Sequence, residues 1–217
     1  MTVAIPDFMD ADSIRSQPAA LNDAGFLVLR NVFERAFLGQ LRTQLARPYR
    51  RFFVNVKTDL YSNPEFLNFV SLLVGCDLRT CAKHDRQTSW VRLYSSEARL
   101  NPFSHFHIDS KRYRGRQFRV VVSLFDDSDC EFQYRSRRGE IVCHRTEPNS
   151  LCVIEAGRLV HRVQMNSGTR LLLMMDFTTA LDRGPLGWVG FAWDHLWVKA
   201  VAGSIETRID PNRLPWA

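Results

Sequence analysis

Apolar residues recur with a helical period in the first third of the chain. Within residues 37–45 they are separated by three and four positions, at Phe37, Leu38, Leu41 and Leu45. This spacing predicts an amphipathic helix with one buried face. Asn63 followed by Pro64 marks a second helix start, because proline is tolerated in the first turn of a helix. We therefore predict a helical lead-in over about residues 1–88.

From about Ser89 the apolar pattern changes to short runs separated by turn residues. An earlier apolar run, Phe26–Leu29, follows Gly25 and predicts a strand after a helix stop. The later runs predict eight strands, at Trp90–Tyr94, Ser104–Ile108, Phe118–Phe125, Glu131–Tyr134, Glu140–Arg145, Ser150–Glu155, Val160–Met165 and Arg170–Phe177. Strands of this length and spacing are typical of a double-layered antiparallel sandwich or jelly roll. The expected fold is mainly β with flanking helices, in one domain over 1–217 whose core covers about 89–180.

The end of the chain, about residues 186–217, is rich in tryptophan and predicts a helical tail. Trp193 and Trp197 are four positions apart, so one helical face can carry both, and Trp188 precedes them. We interpret these side chains as core residues. The alternative is an oligomer contact, and so a homodimer, because tryptophan is enriched at interfaces.

Composition and charge narrow the function classes. The chain has 217 residues, 45% hydrophobic and 24% charged, which excludes disordered, collagen-like and coiled-coil proteins. The 29 basic residues outnumber the 23 acidic ones, and all but four of the basic residues are arginines. The arginine guanidinium matches carboxylate and phosphate oxygens, so an anionic ligand is favoured over simple solubility and over nucleic acid.

The remaining composition signals concern location. No apolar run is long enough to span a bilayer, and the first residues show no secretory signal pattern. The five cysteines form no CxxC pair. We expect reduced thiols and a cytoplasmic protein with no membrane partner.

The candidate chemistry centres on His107-Ile108-Asp109 and on His161. Side chains alternate along a strand, so His107 and Asp109 lie on the same face and can hold one metal ion. If the strand of His161 lies across the same opening, two imidazoles and one carboxylate bind the ion and leave three positions open, which suits non-haem Fe(II). An isolated HxD is a weak signal, and the alternative is a strand histidine followed by an aspartate that begins a turn.

The residues after His161 strengthen the metal hypothesis. A turn at 166–168 returns the chain so that Arg170 lies beside the histidine strand. An arginine that begins an otherwise apolar strand needs an anionic partner, because an unpaired buried charge is costly. A dicarboxylate bound through both guanidinium edges supplies that partner.

These motifs resemble the Fe(II)- and 2-oxoglutarate-dependent dioxygenases, and most closely their prolyl-hydroxylase-like branch, over about residues 21–179. The resemblance implies a double-stranded β-helix, the cupin-like jelly roll. It implies Fe(II), 2-oxoglutarate and O₂ as cofactors and cosubstrates, with His107, Asp109 and His161 as iron ligands. Arg170, nine residues after His161, corresponds to the residue that binds the distal carboxylate of 2-oxoglutarate, and Tyr94 to a second residue that binds this cosubstrate.

The resemblance also bears on the reaction. It implies oxidation, most simply hydroxylation, of an unactivated C–H. The short barrel and the arginine-rich opening favour a small, anionic molecule, such as an amino acid or a natural-product intermediate, as the substrate. A protein side-chain hydroxylase of the prolyl type is the alternative, and a non-catalytic metal-binding barrel or sensor is a second one. Asp109 argues against halogenation, because family halogenases lack this carboxylate. Asp176 stands where nucleic-acid demethylases carry a second arginine, which argues against a nucleic-acid substrate.

Candidate substrate contacts come from the residues around the HxD motif. His105 shares a face with His107, so it either contacts substrate or is a partly buried, hydrogen-bonded strand histidine. Arg116 and Arg119 follow in a basic segment with Arg112 and Arg114. These arginines either gather an anionic substrate at the opening of the site or belong to a solvated loop. We assign His105, Arg116 and Arg119 as expected substrate contacts.

Overall fold

The computed structural model describes residues 11–45, 53–56, 58–82, 85, 88–96 and 103–197. Five helices lie within these residues: α1 (Ala11–Ala24), α2 (Arg35–Leu45), α3 (Asp59–Ser62), α4 (Pro64–Val74) and α5 (Pro185–Trp197). The same residues contain eleven strands: β1 (Phe26–Leu29), β2 (Phe53–Asn55), β3 (Arg79–Thr80), β4 (Ser89–Ser95), β5 (His107–Ile108), β6 (Gln117–Asp126), β7 (Glu131–Arg135), β8 (Ile141–Arg145), β9 (Leu151–Glu155), β10 (Val160–Gln164) and β11 (Thr169–Thr178).

The strands form two antiparallel sheets. The larger sheet has the order β1-β9-β6-β11-β4-β2, with β3 also paired to β11, and the smaller has the order β5-β10-β7-β8. The predicted jelly roll with N-terminal helices is confirmed. All eight predicted core strands are present with small shifts at their ends, except that the one expected at 104–108 is reduced to β5.

Local sequence signals set several element ends. Asn63 caps α4, where its side chain accepts a hydrogen bond of 3.0 Å from the Phe66 amide, and Pro64 occupies the first turn. The turn between β10 and β11 contains Gly168 with φ +81°, and a Cβ there would lie 2.6 Å from the Ser128 Cα. Only glycine therefore allows this turn to pack against the neighbouring loop.

The larger sheet is covered on its outer face by helices. Phe66 of α4 packs against Phe177 of β11 with ring centroids 6.2 Å apart, and both are fully buried. The inner face meets the smaller sheet. There Phe26 of β1 stacks on Phe132 of β7 at 4.7 Å. The two inner faces enclose the space in which the candidate site lies.

The tail departs from the sequence prediction. Trp188 and Trp193 of α5 are 56% and 64% exposed, so the core interpretation is wrong for both, and the Trp197 side chain lies outside the described residues. Glycines face the body instead: a Cβ at Gly187 would lie 2.5 Å from the Arg112 carbonyl oxygen. The helix therefore approaches through its smallest residues and turns its tryptophans outward. The oligomer contact stays a prediction.

Among the described residues no helix has the length and apolar character that crossing a membrane requires. All five cysteines are free thiols, of which Cys81, Cys130 and Cys152 are buried as small core residues.

Candidate metal and 2-oxoglutarate site

The three candidate metal ligands come together at one end of the space between the sheets. Strand β5 pairs with β10 so that His107 and His161 are direct cross-strand partners, with ring centroids 4.4 Å apart. Asp109 directly follows β5. One potential ligand atom from each of the three side chains lies within 4.8 Å of those of the other two. The strand alternation that suggested a shared face therefore produces a compact cluster.

Hydrogen bonds within the cluster leave the atoms that face its centre available. His107 Nδ1 lies 2.9 Å from the His105 carbonyl oxygen, and His161 Nδ1 lies 3.0 Å from the Leu159 carbonyl oxygen. A carbonyl only accepts, so both Nδ1 atoms carry a proton, and in a neutral imidazole of this tautomer Nε2 is the atom whose lone pair can bind a metal. His105 thus contributes through its backbone, while its side chain is exposed.

The carboxylate of Asp109 has one oxygen that is bonded and one that is not. Oδ1 pairs with the guanidinium of Arg119. Oδ2 is buried, has no hydrogen-bond partner among the described residues, and lies 3.9 Å from His161 Nε2. A buried oxygen without a partner is costly. A divalent cation bound by Oδ2 and the two Nε2 atoms removes that cost, so the residues present fit a two-histidine, one-carboxylate iron site.

The electrostatics of the cluster favour the ligand forms of two of these groups. Burial by itself raises the pKa of Asp109, but the guanidinium of Arg119 and the two imidazoles hold it below its usual range. Burial, and then the neighbouring His161, lower the pKa of His107. Asp109 is therefore ionised and His107 neutral at neutral pH, as metal binding requires.

Arg170 and Tyr94 lie together on the cavity wall. They are cross-strand partners on β11 and β4, and both are buried. The expected pairing of the Arg170 strand with the His161 strand is wrong: β11 lies in the larger sheet and β10 in the smaller, so Arg170 reaches the same cavity from the opposite sheet. Arg170 Nε lies 3.1 Å from Asp126 Oδ2, and Arg170 Nη1 donates to the Cys130 sulfur at 3.2 Å. Burial opposes the charge of Arg170, yet the net effect of the neighbouring acidic groups, including Asp126, is a raised pKa. The guanidinium is fixed in a charged, oriented state.

Arg92 is a cavity residue that the sequence reasoning missed. It lies two positions before Tyr94 on β4 and so shares its face. Its Nη1 donates to the Tyr94 hydroxyl at 2.9 Å, and its guanidinium carbon lies 3.9 Å from the Phe103 ring centroid. The sequence signal that could have identified it is an arginine two positions before Tyr94 in an otherwise apolar strand.

These side chains line one cavity of ≈ 470 Å³, its open mouth included. The wall carries His107, Asp109, His161, Arg119, Arg92, Tyr94 and Arg170. The apolar remainder includes Phe26, Phe132, Ile154, Val163, Leu172 and Met174. The cavity therefore combines a metal-ligand cluster, three arginines and an apolar wall.

Arg119 and Arg116, the other two predicted substrate contacts, are both paired with carboxylates of the protein. Arg119 reaches the cavity wall, but its guanidinium is held by the carboxylates of Asp109 and Asp176. Arg116 does not line the cavity: its Nε donates to Glu155 Oε1 at 2.8 Å. Its side chain belongs to an ion pair outside the site, just before β6 begins.

The basic loop contains a fully buried arginine. Arg112 has no exposed surface, donates to Asp85 Oδ1 at 2.6 Å and pairs with Asp176. Both sequence alternatives, an opening that gathers substrate and a solvated loop, are therefore wrong for Arg112. Arg114 is exposed and lies 3.5 Å from Asp182, in agreement with the solvated reading.

Comparison with known proteins gives a match in structure only. No family model matches the sequence, and no curated protein matches it. The fold resembles the epimerase SnoN in complex with Fe3+, alpha ketoglutarate and nogalamycin RO, with a TM-score of 0.64 at 14% identity over 92% of this chain and 94% of that one.

Two further solved structures carry the same fold. One is an oxidoreductase of the 2OG-Fe(II) oxygenase family from Burkholderia pseudomallei, with a TM-score of 0.62 at 14% identity over 84% of this chain and 98% of that one. The other is a Pseudomonas putida prolyl-4-hydroxylase, with a TM-score of 0.56 at 14% identity over 85% of this chain and 99% of that one. This chain therefore has the fold of the Fe(II)/2-oxoglutarate oxygenases.

Proposed function

We propose that this protein is an Fe(II)- and 2-oxoglutarate-dependent oxygenase that hydroxylates an unactivated C–H of a small anionic molecule. The observation that carries the proposal is the cluster of His107, Asp109 and His161, whose potential ligand atoms converge beside a cavity lined by arginines. One of these atoms, Asp109 Oδ2, is buried and has no hydrogen-bond partner among the described residues. The fold supports the same class but does not by itself assign a reaction.

Each residue of the cluster has a defined role in this proposal. His107 Nε2, His161 Nε2 and Asp109 Oδ2 would hold the iron. Three protein ligands leave room for a chelating 2-oxoglutarate and for O₂. When bound, the iron and 2-oxoglutarate supply the oxidising chemistry, and the protein contributes ligation, orientation and exclusion of water.

Arg170 and Tyr94 would bind the distal carboxylate of 2-oxoglutarate. The supporting observation is that Arg170 is a buried cation on the cavity wall whose guanidinium is held in place by Asp126 and Cys130. Tyr94 is the cross-strand partner of Arg170, lines the same cavity and accepts a hydrogen bond from Arg92 at 2.9 Å, so its hydroxyl is held at the cavity wall.

The cavity itself supports the substrate class. Its wall is largely apolar, with Phe26, Phe132 and Leu172, and carries a few charged and polar groups, as is usual for small-molecule sites. Arg92 adds a cationic group to the wall that also carries Arg119 and Arg170, which favours an anionic substrate. A prolyl side-chain hydroxylase is the alternative, supported by the fold of the prolyl-4-hydroxylase. The free thiols support a reducing, cytoplasmic location.

The experiment that tests the proposal measures Fe(II) binding and 2-oxoglutarate turnover to succinate in the purified protein. We expect wild type to bind one Fe(II) and to form succinate slowly without substrate. His107→Ala and Asp109→Ala should lose both while the fold is retained.

The matched control is His105→Ala, two positions from His107. Its side chain is exposed and only its carbonyl contacts the site, so metal binding and turnover should stay unchanged. Absence of Fe(II) binding by wild type contradicts the proposal. Stoichiometric iron binding with no 2-oxoglutarate turnover and no 2-oxoglutarate binding favours the sensor alternative. Turnover stimulated by proline-containing peptides, and not by small anions, favours the protein hydroxylase.

A further inference from the structure

Arg119 lies between a candidate metal ligand and a buried carboxylate that is remote from the metal. Its Nη1 pairs with Asp109 Oδ1. On its other edge, Nε donates to Asp176 Oδ1 at 3.0 Å and Nη2 to Asp176 Oδ2 at 3.2 Å. The side chains of all three residues are at most 8% exposed. One guanidinium therefore bridges two carboxylates away from solvent.

We propose that Arg119 is a positioning residue that holds Asp109 Oδ1 and so leaves Oδ2 as the single carboxylate oxygen for the metal. This inference rests on the proposed function. A carboxylate free to rotate can bind a metal through both oxygens and fill a position that the cosubstrate needs. With Oδ1 held by Arg119, Asp109 binds through one oxygen and the remaining positions stay open.

The position of Arg119 is itself fixed. Arg119 and Asp176 are direct cross-strand partners on β6 and β11. Asp176 is fully buried and also receives hydrogen bonds from Gln117 Nε2, at 3.2 Å, and from Arg112. Moving Arg119 would break two charged hydrogen bonds to this acceptor, each worth more than a neutral one. The guanidinium is therefore a rigid support for Asp109.

The support extends to the loop before β4 and to the segment before α5. Arg112 joins Asp176 to Asp85, and Asp85 Oδ2 accepts hydrogen bonds from the Tyr113 hydroxyl at 3.0 Å and from Arg183 Nη2 at 3.2 Å. Positive and negative side chains alternate along this series, so each buried arginine has a carboxylate partner. Arg119 can therefore be buried beside the candidate metal site, because Asp109 and Asp176 both compensate its charge.

The geometry requires arginine and not merely a positive charge. The guanidinium offers Nε and Nη2 on one edge to Asp176 and Nη1 to Asp109. A lysine ammonium is a point donor at the end of a flexible chain and does not hold two carboxylates in this fixed relation. Arg119→Lys should therefore restore the charge without restoring the orientation.

The test measures Mn(II) affinity of the full-length protein by the EPR signal of the free ion, together with the Co(II) absorption spectrum. We expect Arg119→Gln to weaken Mn(II) binding about 10- to 100-fold, the usual effect of removing a hydrogen bond behind a metal ligand. Arg119→Lys should be intermediate, and the Co(II) bands of both variants should change because the carboxylate coordinates differently.

The matched control is Arg116→Gln, which removes a paired arginine three positions away that does not line the cavity. Its Mn(II) affinity and Co(II) spectrum should equal those of wild type. Should Arg119→Gln fail to fold, Asp176→Asn retains the Arg119 charge, removes its anchor and should change the Co(II) spectrum in the same direction.

Wild-type Mn(II) affinity and an unchanged Co(II) spectrum in Arg119→Gln, or in Asp176→Asn if the first variant does not fold, overturn the positioning role. A lowered melting temperature with unchanged metal affinity assigns Arg119 to stability alone and also overturns it. Failure of wild type itself to bind Mn(II) or Fe(II) is a different result, because it refutes the proposed metal site on which the inference rests.

Discussion

Replacing Arg170 by Gln tests two roles of this residue, in the fold and in 2-oxoglutarate binding. The Arg170 and Asp126 side chains are 3% and 4% exposed, with Nε 3.1 Å from Oδ2. Removing one partner of such a buried pair costs about 3–5 kcal/mol, because the other charge stays buried. Asp126 keeps hydrogen bonds from the Ser128 amide and hydroxyl and from Thr146, so we expect the lower end, about 3 kcal/mol.

The double variant Arg170→Gln/Asp126→Asn separates the two roles. Because it removes both charges, its free energy of unfolding should return to within about 1 kcal/mol of wild type. The affinity for 2-oxoglutarate should not return. Losing the partner of a desolvated carboxylate costs about 2–5 kcal/mol, so the dissociation constant for 2-oxoglutarate should rise about 30-fold or more.

Two assays measure these effects. Urea unfolding gives the stability of wild type, both single variants and the double variant. Isothermal titration of 2-oxoglutarate into the Mn(II)-loaded proteins gives the affinities, and Asp126→Asn, which retains Arg170, should bind at least as well as wild type. Wild-type affinity in the double variant would refute Arg170 as the carboxylate-binding residue. Unchanged stability of Arg170→Gln would refute the cost assigned to the buried pair.

Three further predictions concern the fold. Asn63→Ala should lower the free energy of unfolding by about 1 kcal/mol through loss of the α4 cap, whereas Asn63→Asp keeps an acceptor and should change it little. Arg112→Met should cost about 3 kcal/mol or more in urea unfolding, against less than about 1 kcal/mol for exposed Arg114→Met in the same loop; equal effects would contradict the buried network. Burial by itself raises the pKa of Glu155, but hydrogen bonds from Arg116 and Arg158 lower it below the ordinary 4.5. A lowered pKa stabilises the fold above the ordinary value, so the stability difference between wild type and Glu155→Gln should be full at neutral pH and shrink as the pH falls below 4.5; a pH-independent difference would exclude this linkage.

The sequence predicted those features that depend on local periodicity. Alternation along one strand was enough to place His107 and Asp109 on a common face. The same alternation would have found Arg92 from Tyr94. These inferences succeed because side chains alternate between the two faces of a strand. Residues two positions apart therefore share a face, whatever the rest of the chain does. The short turn before Arg170 does not return it beside the histidine strand, because β11 pairs with β4 and β6 in the larger sheet, whereas β10 belongs to the smaller sheet.

Features that depend on distant partners were not accessible in this way. Arg112 lies in a basic segment that reads as exposed, and its partners Asp85 and Asp176 are 27 and 64 positions away. Trp188 and Trp193 read as core residues, but the close approach of Gly187 to the Arg112 carbonyl decides which face of α5 is inward. Long-range pairing and backbone approach, rather than hydrophobicity, determined both outcomes.

The metal ligands could be predicted from local spacing, but the residue that holds Asp109 could not. The HxD spacing identifies Asp109, while the identity of the group behind it follows only from the register of β6 and β11, which places Arg119 opposite Asp176. Arg119 was expected to contact substrate because it is a cation near the motif. Its contacts instead make it part of the structure that orients a ligand.

The most direct test of the account is an anaerobic titration of 2-oxoglutarate into the Fe(II)-loaded protein, followed by visible absorption. The account predicts the weak charge-transfer band of an Fe(II)–2-oxoglutarate chelate in wild type and in Asp126→Asn. At the same concentrations the band should be absent from Arg170→Gln/Asp126→Asn, which retains all three metal ligands. Bound iron with no band at saturating 2-oxoglutarate, or an equally strong band in the double variant, would contradict the site as it is described.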